Sequence, residues 1–65
     1  MCKKSDFFIL LLEKYAFHHG ITGDQMLERL KQNDMIDYIY DMYELYHVET
    51  LSNAFDDLDA KMKHL

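Results

Sequence analysis

An all-α fold, a small single-domain bundle of about four helices over residues 1–65, follows from three observations. The chain has no proline and two glycines, so little in it interrupts a helix. Hydrophobic residues make up 49% and aromatics 14%, a rich apolar supply for so short a chain. Apolar residues also recur at helical spacing in four stretches, each bounded by capping or turn residues.

The first helix opens at Ser5 or Asp6, either of which can cap it, and runs to about His19. Gly20 there offers the left-handed residue that ends a helix. At about 100° per residue, Phe8, Ile9, Leu11, Leu12, Tyr15 and Ala16 form a wide apolar face. Phe7, Leu10 and Phe17 form a second strip on the other side. A helix apolar nearly all round is central to a bundle or shared with another chain. With three other helices to cover it, one strip is expected to remain open, as interaction sites do.

The second helix comes after I-T-G-D-Q, where Thr22 and Gln25 stand at the spacing of a capping box. It runs to about Asn33, burying Met26, Leu27 and Leu30 and exposing Asp24, Glu28, Arg29 and Lys31. Asn33-Asp34 makes a turn, with Asp34 as cap for a third helix over MIDYIYDMYELYH, residues 35–47. On that helix Asp37, Asp41 and Glu44 fall at i, i+4, i+7 in one narrow stripe. Ile36, Ile39, Tyr43 and Tyr46 lie mid-way along the apolar side with Met35 and Met42 beside them, and Tyr38, Tyr40 and Leu45 near its borders. The fourth helix runs from near Thr50 to about Lys63. It points Leu51, Ala54, Phe55, Leu58, Met62 and Leu65 inward, with Asp56, Asp57, Asp59, Lys61 and Lys63 outside that arc, as in an ordinary surface helix.

A chain of this length buries only about 60% of its unfolded surface. Small domains therefore add disulfides, metal, efficient packing or a partner subunit. The single cysteine, Cys2, excludes an internal disulfide, which leaves packing and partners. The net charge is −5, all of it matched by the excess acid of residues 34–49. An acidic chain without a basic cluster is a poor nucleic-acid ligand, because neutralising phosphates supplies most of that affinity. At the start, two lysines precede FFILLL, but Glu13 and Lys14 end the run and no small-residue cleavage site comes after it. The run is also far shorter than the ~20 residues of a membrane span. A cytoplasmic protein with a reduced, terminal Cys2 thiol is expected.

No motif carries chemistry. Glu44 and His47 have the Glu-x-x-His spacing of carboxylate-bridged di-iron bundles, but such sites need two copies and further carboxylates. His47, like His18 and His19, reads instead as a last-turn residue that favours the helix dipole. Ser5 and Ser52 lack a glycine-flanked elbow, Cys2 lacks a positioned base, and no glycine loop could cradle phosphate. No catalytic, metal or cofactor residue is expected, and no enzymatic activity. The second and third helices superficially resemble a helix-turn-helix, the alternative reading of a transcriptional regulator. A recognition helix, however, presents Arg, Lys, Asn or Gln to the bases, and this one presents Asp37, Asp41 and Glu44.

The segment I-T-G-D-Q-M-L-E-R-L-K-Q-N-D-M-I-D-Y-I-Y-D-M-Y-E-L-Y-H resembles the central signature of a family of small bacterial proteins known as domain of unknown function thirty-seven ninety-one. Ile36, Asp37, Tyr38, Ile39, Tyr43, Glu44 and His47 stand at its matching places. The resemblance covers nearly the whole chain and is strongest over residues 21–47, while the tail H-V-E-T-L-S-N-A-F-D-D-L-D departs from the usual ending. It implies a small cytoplasmic protein whose gene neighbour looks like an ADP-ribosyltransferase, hence a regulator or antitoxin-like partner. It implies no catalytic residues. The expected function is a protein-protein interaction module, as a homodimer or in a hetero-complex, with Phe7, Leu10, Phe17, Asp37, Asp41 and Glu44 as the candidate partner surface.

Overall fold

The computed structural model describes residues 3–62. Over them the chain forms five helices and no strand: α1 (Lys3–His19), α2 (Gly23–Gln32), α3 (Ile36–Asp41), α4 (Tyr43–Tyr46) and α5 (Leu51–Lys61). The all-α bundle is as expected, with one helix more because the third stretch divides. Cys2, Lys63, His64 and Leu65 lie outside the described residues.

Local chemistry sets most of the boundaries. Gly20 adopts φ 70°, and the N–H groups of Gly20 and Ile21 return to the carbonyls of Phe17 and Ala16, both at 3.0 Å. These two bonds close the end of α1 as a Schellman motif. The capping box of α2 is complete: Thr22 Oγ1 accepts from the Gln25 N–H at 3.2 Å, and Gln25 Oε1 from the Thr22 N–H at 3.0 Å.

Two boundaries differ from those the sequence predicts. Asp34 does not cap the next helix; it takes φ 57° and ends α2. Its N–H bonds the Lys31 carbonyl at 3.1 Å and the Met35 N–H bonds the Leu30 carbonyl at 2.9 Å, a second Schellman closure without glycine. With Asp34 serving as the left-handed C-terminal residue of α2, the N-cap of α3 falls to Met35, at φ −104° and ψ −4°, with no side-chain bond. At the other end, α1 already includes Ser5 and Asp6, so neither caps it.

The third predicted helix breaks at Met42, whose ψ of 4° departs from the helical value. Neither proline nor glycine stands there. Beyond the break the chain is held by tertiary contacts: Tyr46 enters the core and its hydroxyl reaches Asp57 on α5. Tyr43, expected in the core beside it, is only half-buried, and Leu45 is exposed.

The core draws on every element. α1 contributes Phe8, Leu11, Tyr15 and Ala16, and α2 contributes Met26 and Leu30. Met35, Ile39 and Tyr46 come from the middle of the chain, and Ala54, Phe55, Leu58 and Met62 from its end. Aromatic stacking joins them, Phe8 on Tyr40 with ring centroids 5.1 Å apart and Tyr15 on Phe55 at 5.1 Å. Ile9, expected on the wide buried face of α1, is 56% exposed because it falls at the edge of the arc these residues define. Among the described residues no helix is long and apolar enough to cross a membrane.

Candidate functional site

The outer side of α1 is fixed by its inner side. Phe8, Leu11 and Tyr15 recur at i, i+3, i+7 and face the core, which turns positions 10 and 17 to the opposite side at about 100° per residue. Leu10 is accordingly 48% exposed and Phe17 84%. Phe7, expected in the same open strip, is half-buried: it packs edge-on against Tyr43 at 5.5 Å. The strip is therefore Leu10 and Phe17 with Ile9 at its edge. Leu45 and Val48, also exposed, add apolar surface near the end of α4.

Asp37 and Asp41 are exposed and share one face of α3 at i, i+4. Glu44 lies beyond the break on α4. None of the three forms an ion pair among the described residues.

The acids of α5 behave oppositely. Asp57 and Asp59, expected on a solvated face, stand instead on the two borders of the apolar arc formed by Ala54, Phe55 and Leu58. Each is 32% exposed at its side chain. Asp57 Oδ2 accepts the hydroxyls of Tyr46 and of Tyr38, the latter at 2.7 Å, while Lys61 Nζ donates to Oδ1 at 3.1 Å. Asp59 Oδ1 accepts the Tyr15 hydroxyl and, at 2.8 Å, the His19 Nε2–H. One carboxylate thus ties α5 to α3 and α4, and the other ties it to α1.

These bonds set the acidities. The bonds from Tyr46, then Tyr38, and to a lesser degree Lys61 hold the Asp57 carboxyl below its usual range. Burial pushes Asp59 up, but the Tyr15 and His19 bonds outweigh it and the net shift is downward. Burial first, and then the adjacent carboxylates, raise the Tyr15 and Tyr46 hydroxyls far above their ordinary value. Both tyrosines are therefore neutral donors at any physiological pH.

The sequence signal for the two anchors is the tyrosine count. A buried Tyr hydroxyl needs an acceptor, and acids bordering the apolar arc of α5 are the nearest supply. His19, a dipole-favouring residue by its position, also packs edge-on against Tyr15 at 4.8 Å and makes a tertiary bond. His47 keeps its terminal role, with Nδ1–H donating to the Tyr43 carbonyl at 2.7 Å and its ring stacked on Tyr43.

A cavity of about 230 Å³ opens between α4 and α5, lined by Met42, Leu45, Tyr46, Glu49, Asn53 and Asp57. Its polar groups already have partners within the chain: Asn53 donates to Glu49 at 3.3 Å, and both oxygens of Asp57 are taken. Among the described residues no three His, Cys, Asp or Glu side chains gather as a metal site would require.

Fold and surface together define a small all-α domain, tied internally through α5 and open along α1 and α3. The chain belongs to the family described as Protein of unknown function (DUF3791), whose model matches residues 6–64. No curated protein and no solved structure matches it.

Proposed function

We propose that the protein is a protein-protein interaction module that carries out no reaction of its own and docks through the outer strip of α1. The observation that carries this reading is Phe17, a large aromatic left 84% exposed on the longest helix of the domain. With Leu10 and Ile9 it makes the apolar patch, rimmed by charge, that marks a contact surface. The exposed acids Asp37 and Asp41 on α3, with Glu44 beyond the break on α4, offer a second surface suited to steering a basic patch on another protein. A regulator or antitoxin-like role towards an ADP-ribosyltransferase-like neighbour would use such a surface.

Two features support this reading over its alternatives. In the cavity Asp57 is engaged in tying α5 to α3 and α4, and Asn53 is bonded to Glu49, so these polar groups have partners within the chain. For a DNA-binding regulator, α3 is a poor recognition helix: it is six residues long and its exposed acids, Asp37 and Asp41, repel phosphate and offer no donor to a base edge.

The test is partner capture by the tagged full chain in its own host, comparing the natural sequence with Phe17→Glu and with Asp37→Asn/Asp41→Asn. All three positions are exposed, so each variant should keep a native circular dichroism spectrum. A specific partner, counting a second copy of this chain, that is lost or weakened with either variant supports the module. Recovery of nothing by the natural chain, or equal recovery by all three, contradicts it.

A further inference from the structure

The outer face of α1 carries a charge pattern that selects its own partner. Leu10 and Phe17 are seven residues apart and lie about 20° from one another around the helix, forming a single seam. On one side of that seam stand Asp6 and Glu13, displaced by about 30° and 50°. On the other stand Lys3 and Lys14, displaced by the same angles in the opposite sense. All four charged side chains are exposed, and none forms an ion pair among the described residues. The Glu13 carboxylate lies near Gly23 at the start of α2.

We infer that the partner of this face is a second copy of the chain, paired with α1 parallel to α1 about a two-fold axis that runs along the seam. The inference rests on the reading of α1 as the docking strip and names what docks there. Two-fold pairing of identical helices has two solutions. With the axis along the helices, each flank meets the opposite flank: Glu13 meets Lys14 of the other copy, Asp6 meets Lys3, and each pair occurs twice. With the axis across the helices, the antiparallel solution, each flank meets its own kind, so that acid approaches acid and lysine approaches lysine. Opposite charges attract in the first arrangement and like charges repel in the second.

The seam decides which residues face each other. In the parallel pair Leu10 lies against Leu10 and Phe17 against Phe17, on the axis. In an antiparallel pair Leu10 would lie against Phe17. A seam of two large residues with a charged rim is a small interface, and the dimer is accordingly a weak one that forms at micromolar or higher concentration.

Single cysteines placed on the seam, in a Cys2→Ser background, test both the partner and its orientation. Disulfides form only where Cα atoms come within about 7 Å. Under mild oxidation at tens of micromolar, Leu10→Cys alone and Phe17→Cys alone are each expected to cross-link into dimers. An equimolar mixture should give no excess of the mixed species. Cross-linking in the mixture but in neither variant alone would overturn the parallel arrangement. No cross-linking in any sample, together with a monomer in sedimentation, would overturn the second copy itself. In that case the module reading is decided separately, by whether the host supplies a different partner that Phe17→Glu loses. A further variant, Lys14→Glu, sets acid against Glu13 twice in the parallel dimer. It is expected to raise the dissociation constant about tenfold, since each surface pair is individually small. An unchanged constant contradicts the parallel pairing, because the antiparallel pair merely exchanges one like-charge contact for another.

Discussion

Asp57 and Asp59 on α5 and Asp37 and Asp41 on α3 are the same residue type on helices of the same small domain, yet they do opposite things. The pair on α5 is engaged by three tyrosine hydroxyls, a histidine and a lysine, and ties the last helix to the rest. The pair on α3 is exposed and outside any ion pair among the described residues. A carboxylate on an amphipathic helix is therefore assigned its role by what lies across the border of the apolar arc. Where a buried tyrosine hydroxyl needs an acceptor, the acid becomes structural. Where water is across the border, it remains available to a partner.

The strongest destabilisation on either side of this contrast comes from the donors rather than the acids. Tyr46 is 2% exposed and Tyr43 is half-buried, so Tyr46→Ala should cost about 3–5 kcal/mol, as large aromatics removed from cores do. Tyr43→Ala should cost markedly less, leaving Phe7 and His47 without their ring contact. Urea melts of the two variants should show the gap; equal midpoints would mean that the break at Met42 does not separate their environments.

The anchors come next in size. Asp57→Ala strands the Tyr46 hydroxyl inside the core, and a buried donor without an acceptor costs about 1–3 kcal/mol. Asp59→Ala should cost a similar amount through Tyr15, which is 1% exposed. The same bonds predict an acid limb. Both carboxyls have folded-state values below the ordinary 3.8, so folding stabilises their charged forms. That contribution is complete above the ordinary value and is lost as pH falls through the depressed ones. In thermal melts across the acid range, stability should therefore fall most steeply below pH 3.8, and Asp57→Asn/Asp59→Asn should flatten that limb. A limb just as steep in the double variant would remove these two groups as its cause.

Gly20→Ala is a weaker perturbation. A Cβ at Gly20 would meet nothing within 4 Å, so the cost is that of holding φ 70° with a side chain, about 1–2 kcal/mol. A chemical melt of this variant with no shift would show that the end of α1 does not depend on the left-handed turn. Least affected is α3, where Asp41→Ala should change stability by less than about 0.5 kcal/mol.

What the sequence makes legible divides along the same line. The capping box at Thr22 and Gln25, the Gly20 terminus and the inward residues of α2 and α5 are all readable, because each depends on neighbours within a few positions. The open strip on α1 is readable in Leu10 and Phe17 from helical spacing alone. Tyr43 and the break at Met42 are not, since tertiary contacts that periodicity does not encode settle them, while Asp34 is hidden because a residue other than glycine takes the left-handed turn and Ile9 because it sits at the very edge of the apolar arc. Phe7 departs from its expected place through a tertiary contact too, being drawn half under Tyr43. Asp57 and Asp59 escape notice as anchors because their donors, Tyr38, Tyr46, Tyr15 and His19, lie 11 to 44 residues away in the chain.

A pair of urea melts at neutral pH, on Asp57→Ala/Asp59→Ala and on Asp37→Ala/Asp41→Ala, puts the contrast between the two helices to the test. The first double variant is expected to lose about 2–6 kcal/mol, much of the stability of so small a domain, while the second stays within about 0.5 kcal/mol of the natural chain. Equal losses in the two would contradict the division between acids that hold the fold and acids left available to a partner.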